Sequence, residues 1–115
     1  MLALVMFAVA AAAPSHANSF MTGNELYTRC QSTLRENIDI CSAYIGGVVD
    51  GQNVITSTLS INGVFCEPEG VTVQQLMDVV ARWLRQHPEK RHYTAASLTL
   101  EALDDAFPCR SEATQ

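Results

Sequence analysis

The sequence predicts a small all-α domain, four helices arranged as two helical hairpins and closed by two disulfides. Three observations predict it. Two segments, Thr22-Gly-Asn-Glu25 and Thr72-Val-Gln-Gln75, have the spacing of a helix capping box. Apolar residues recur at helical intervals after both. Four cysteines, Cys30, Cys41, Cys66 and Cys109, stand in a chain too short to rely on a large core.

The N-terminus is read separately from the domain. Residues 2–13 are an unbroken apolar run, shorter than the roughly 20 residues a membrane-spanning helix needs. Ser15-His16-Ala17 follows with small residues at the positions a signal peptidase reads, so residues 1–17 are expected to be a cleaved secretory signal. No Lys or Arg precedes the run. Residues 18–115 then form a single exported domain with no membrane attachment after cleavage.

The first helix is expected over residues 22–37. Leu26, Cys30 and Leu34 repeat every fourth residue on one face, and Asn37 marks the exit. Residues 39–60 carry two signals. Cys41, Tyr44, Ile45, Val48, Ile55 and Leu59 share a helical face, whereas Val48-Val49-Asp50-Gly51 and Ile55-Thr56-Ser57-Thr58 suit strand and turn. Gly46, Gly47 and Gly51 each weaken a helix by up to about 1 kcal/mol, which close contact with another helix at Gly47 and Gly51 would offset.

The third helix, from the Thr72 cap to Pro88, is the clearest. Val73, Leu76, Met77, Val80, Trp83 and Leu84 form one apolar stripe, and Asp78 with Arg82 is spaced for an ion pair. The fourth runs from residue 94 to 106 and ends at Pro108. Ala95, Leu98, Ala102, Leu103 and Ala106 face inward. Glu101, Asp104 and Asp105 face outward, at the end of the helix where the macrodipole disfavours them, with Arg110 placed to offset them.

The hairpins select the disulfides. A connection centred on Arg35-Glu36 places Cys30 opposite Cys41. The open end of the second hairpin brings Cys66 beside Cys109.

Charge and motifs exclude several functions. The chain carries 7 Lys+Arg against 12 Asp+Glu, a net −5, which is unsuited to nucleic acid. P-loop, GxGxxG, GxSxG and HExxH motifs are absent. A hydrolase using Cys41 or Cys66 with His92 as base would need a free thiol, which an even set of cysteines in an exported domain argues against. His87 and His92 lack metal-ligand spacing, so no metal or other cofactor is expected. Asp50 among glycines reads as a buried polar anchor, and Trp83 and Tyr44 as core.

One ordered set of motifs lies within about residues 25–109. It comprises Tyr44-Ile45-Gly46-Gly47, then Cys66-Glu-Pro68-Glu-Gly70-Val71-Thr72, then His87-Pro88, and finally Phe107-Pro108-Cys109. The set resembles the Rap/Tai family of immunity proteins from type VI secretion systems. The resemblance implies a small all-α periplasmic protein, often a homodimer. Its partner would be a papain-like cysteine amidase that cuts peptidoglycan, whose groove it blocks without catalysis of its own. It also resolves residues 39–60 as helix. It carries over no partner-contacting residue.

The residues themselves suggest a contact surface. Residues 85–93 hold Arg85, Lys90, Arg91, His92 and Tyr93 around Pro88, a basic cluster in an acidic chain, and Arg and Tyr often anchor interfaces. The acidic face of Glu101, Asp104 and Asp105 is the next candidate. Two other classes fit the composition. One is a small periplasmic helical chaperone or adaptor. The other is an envelope-binding domain with a ligand between the hairpins.

Overall fold

The structure, a computed structural model, describes residues 20–109. The expected signal at residues 1–17 and Arg110 lie outside them. Four α-helices follow in order: α1 Gly23–Cys30, α2 Arg35–Leu59, α3 Val73–Gln86 and α4 Ala95–Ala106, with a 3₁₀ turn at Pro88–Lys90. No strand is present among the described residues; Thr22 and Thr94 form an isolated antiparallel bridge.

Both capping boxes form. Glu25 N–H donates to Thr22 Oγ1 at 3.3 Å and Thr22 N–H to Glu25 Oε2 at 2.7 Å. At α3 the reciprocal bonds join Thr72 and Gln75 at 3.1 and 2.8 Å. Each box satisfies amides that the first helical turn leaves without partners.

The first hairpin differs from expectation. Helix α1 stops at Cys30, and Arg35-Glu36 begin α2 instead of centring the connection. Ser32 provides the local alternative to helix: its hydroxyl accepts from Leu34 N–H at 3.1 Å and from Asn37 Nδ2 at 3.0 Å. Arg29 Nη1 closes the turn on Asn37 Oδ1 at 2.9 Å. Leu34 becomes the N-cap of α2 and is exposed rather than part of the α1 face. Cys30 still meets Cys41, with Cα atoms 5.1 Å apart, because one ends α1 and the other lies near the start of α2.

Residues 39–60 are helical throughout. Cys41, Ile45 and Val49 of α2 are buried, whereas Ile55 and Leu59 are exposed and Asp50 is not the expected buried anchor. The 25 residues of α2 span about 37 Å, against about 21 Å for the 14 residues of α3. Its second half therefore lies beyond what the bundle covers. The close helix contact expected at Gly47 and Gly51 is absent: a Cβ at either would meet nothing within 4 Å. Ser60, in the left-handed conformation, ends α2.

The return segment is pinned by Gln52, whose Oε1 accepts from Val64 N–H at 2.7 Å and Phe65 N–H at 3.2 Å. Phe65 then enters the core. Cys66 N–H donates to the Phe107 carbonyl at 2.9 Å, and Cys66 joins Cys109 with Cα atoms 4.8 Å apart.

Helix α3 supplies Leu76, Met77, Val80, Trp83 and Leu84 to the core, and α4 supplies Ala95, Leu98, Thr99, Ala102 and Leu103. Leu26 of α1 and Ile45 of α2 complete it. Thr99 is accommodated because its hydroxyl donates to the Ala95 carbonyl at 2.8 Å. Val73 and Ala106, placed inward by periodicity, are exposed at the ends of their helices. Asp78 accepts from Gln74 Nε2 at 3.0 Å rather than pairing with Arg82.

The two bridges close loops of different length, 11 and 43 residues. Loop-closure entropy gives about 3 kcal/mol for the first and about 4 kcal/mol for the second. Replacing both Cys66 and Cys109 by Ser is expected to lower the urea-derived unfolding free energy by more than replacing Cys30 and Cys41. Equal losses in the two double variants would contradict the chain-entropy account.

Candidate functional site

The connection between α3 and α4 is built from successive tight turns. Pro88 opens the 3₁₀ turn; Lys90 N–H donates to the His87 carbonyl at 3.1 Å and Tyr93 N–H to the Lys90 carbonyl at 2.9 Å. The turn is clamped to the start of α1. Gly23 N–H donates to the Tyr93 carbonyl at 2.9 Å, Asn24 N–H to the Arg91 carbonyl at 2.7 Å, and Ala95 N–H to the Met21 carbonyl at 2.8 Å. Gly23 is needed there. A Cβ would run into Leu98 Cδ1 and the Arg91 backbone.

Side chains fix the turn to α3 and α4. The His87 ring stacks on Trp83 with centroids 4.0 Å apart. Its Nδ1 lies 2.7 Å from the Trp83 carbonyl, which can only accept, so Nδ1 carries the proton. Trp83 Nε1 donates to Asp105 Oδ2 at 2.7 Å. Lys90 Nζ donates to Glu101 Oε1 at 2.8 Å and lies 5.6 Å from the Trp83 ring centre. The bond to Glu101 raises the Lys90 pKa above its ordinary value. Glu101 and Asp105 thus have structural partners, which accounts for carboxylates at the unfavourable end of α4.

The five residues predicted as a contact surface divide in two. Arg85, His92 and Tyr93 are exposed, and the His92 and Tyr93 rings lie against each other at 4.2 Å. Lys90 is held by Glu101, and the Arg91 guanidinium lies 4.2 Å over the Tyr27 ring. Arg91 Nε is buried without a hydrogen-bond partner. A cleft of about 370 Å³ borders the turn, lined by Lys90, Tyr93, Thr94, Ser97, Leu98 and Glu101. Sequence reading missed it, because no periodicity reports that Thr94 and Ser97 face the same space as Tyr93.

The hydrolase alternative is overturned by the cysteines. All four are bonded, including Cys41 and Cys66, so neither has a thiolate to offer. Among the described residues, no group of three or more His, Cys, Asp or Glu could hold a metal ion.

A pH dependence follows from the cap beside the clamp. The Thr22 backbone N–H, and then its hydroxyl, hold the Glu25 carboxylate below its ordinary pKa. The stability this contributes is complete above the ordinary carboxylate range and is lost as pH falls through the lowered value. Glu25→Gln keeps a capping residue, as Gln75 shows at α3. It is expected to flatten that acid limb in urea titrations at several pH values, and an unchanged limb would remove Glu25 as its source.

The family model of the Rap1a immunity proteins matches residues 22–109, from the N-cap of α1 to the last cysteine, and so takes in all four helices and both disulfides. No curated protein matches the chain. Because that match covers well over half of its length, the chain belongs to the Rap1a immunity protein family.

Proposed function

We propose that this protein is exported to the periplasm, binds a peptidoglycan amidase effector of a type VI secretion system, and occludes its active-site groove. The family match carries the reading: an immunity protein acts on a protein partner. The paired cysteines agree with an oxidising compartment, and no helix among the described residues is long and apolar enough to cross a membrane. Residues 1–17 are the signal in this reading, and Asn18 begins the mature chain. Steric occlusion asks for a rigid projecting surface rather than a reactive group, since a pre-ordered surface loses little entropy on binding.

The turn at residues 85–93 is the proposed contact. Arg85, His92 and Tyr93 are the side chains available to a partner, and Lys90 and Arg91 hold the turn in place.

Coexpression with a periplasmically targeted cognate amidase is expected to protect cells, and the protein recovered from the periplasm is expected to begin at Asn18. A His92→Ala/Tyr93→Ala variant is expected to bind the amidase about tenfold or more weakly, about 1.4 kcal/mol or more, with an unchanged melting temperature. Unaltered affinity would move the contact to another face. Failure to bind or inhibit any amidase encoded beside it would favour the chaperone or adaptor reading.

A further inference from the structure

We propose that Asn62 is a site of spontaneous deamidation. The Gly63 amide nitrogen closes on the Asn62 side chain and converts it to aspartate and isoaspartate at the rim of an apolar groove beside α2.

The reaction makes three demands on a chain. The residue after the asparagine must leave the carboxamide open to attack, which glycine does best because it has no Cβ. The attacking main-chain N–H must be free of a hydrogen bond. The backbone must lie outside a helix, whose ladder holds that N–H in place.

Asn62-Gly63 meets all three, and it is the single Asn-Gly pair of the sequence. Residues 61–63 belong to no helix, and Asn62 is exposed. Among the described residues, neither the Asn62 side chain nor the Gly63 N–H makes a hydrogen bond. The fold itself calls for the glycine. A Cβ at position 63 would stand 3.0 Å from the Phe65 carbonyl oxygen and 3.2 Å from the Gln52 side chain. That Gln52 side chain is the one that accepts from Val64 and Phe65 N–H. The labile pair is therefore built into the return segment.

The other candidates among the described residues are shielded. Asn24 precedes Glu25, whose N–H donates to Thr22 Oγ1. Asn37 precedes Ile38, whose N–H donates to the Leu34 carbonyl, and its carboxamide is bonded to Arg29 and Ser32. Asn53 precedes the β-branched Val54 inside α2. Asp50-Gly51 offers the same ring closure with a carboxyl group, but the Gly51 amide belongs to the α2 ladder.

Water is the one co-reactant. Gly63 N gives its proton to solvent base and bonds to Asn62 Cγ. The Cγ–Nδ2 bond breaks, and the nitrogen takes a proton and leaves as ammonia. Water then opens the cyclic imide. Cleavage at Cγ gives aspartate; cleavage at the main-chain carbonyl gives isoaspartate, with an extra main-chain carbon. Either product sets a carboxylate at the groove of about 360 Å³ that Asn62 and Gly63 line with Gly47, Ile55 and Leu100. Residues 51–66 contain no charged side chain, so this is the segment's first charge. The chemistry is independent of any effector.

Incubation of the purified, disulfide-intact protein at mildly alkaline pH tests this, read by peptide mass mapping and by enzymatic carboxyl methylation of isoaspartate. Asn62 is expected to convert about tenfold or more faster than Asn24, Asn37 or Asn53, and as fast in the folded protein as in urea. Asp50 is expected to yield isoaspartate in urea alone. Asn62→Gln keeps a neutral amide at an exposed position; it is expected to abolish the isoaspartate label in residues 60–65 and to leave the melting temperature unchanged. An Asn62 that converts no faster than the other three would overturn the proposal. So would an Asn62 that is stable in the folded protein and converts only in urea, because the fold would then shield it.

Discussion

The structure depends on a short antiparallel clamp between residues 21–24 and 91–95. Three backbone hydrogen bonds of 2.7–2.9 Å hold it, and Gly23 permits it because any side chain would strike Leu98 and the Arg91 backbone. The clamp does three things at once. It fixes the start of α1, where Thr22 and Glu25 then close the capping box. It presents Thr94 as the N-cap of α4. It also satisfies the carbonyls of Arg91 and Tyr93, so these main-chain acceptors of the turn are paired.

The disulfides and core extend that order unevenly. Cys30–Cys41 ties the start of α2 to α1, and Cys66–Cys109 ties the approach to α3 to the end of α4. Between these ties Leu26, Ile45, Val80, Leu84, Leu98 and Leu103 pack to near-complete burial. The second half of α2 receives neither tie. Gln52 anchors it to the return segment and leaves the apolar row exposed. The protein therefore has a braced end, where His92 and Tyr93 project, and an end where Val54, Ile55, Leu59, Ile61 and Val64 are exposed.

Much of this was legible in the sequence where a local chemical rule decides the outcome. Thr22-x-x-Glu25 and Thr72-x-x-Gln75 specify their caps by side chain–backbone geometry alone, and both form. The disulfide pairing was legible because it needs only hairpin topology, and it survives a displaced turn. The end of α1 was not, since Ser32 and Asn37 form their hydrogen bonds only once the chain has turned. Leu34 fits the α1 period yet caps α2. Gly47 and Gly51 suggested close approach of another helix, but a Cβ at either would meet nothing within 4 Å, because the second half of α2 runs past the helices that could have packed on it. In the candidate site, Lys90 and Arg91 read as free cations because Glu101 and Tyr27 are brought beside them only by the tertiary fold.

Hydrogen exchange at the amides of Gly23, Asn24 and Ala95 tests most directly whether the clamp governs the fold. If it does, these three amides exchange only through global unfolding, at the same free energy as Leu84 and Leu103 in the core. Exchange of Gly23 and Asn24 through a low-energy local opening, with the core still protected, would contradict the account and make the clamp a consequence of the packing rather than its condition.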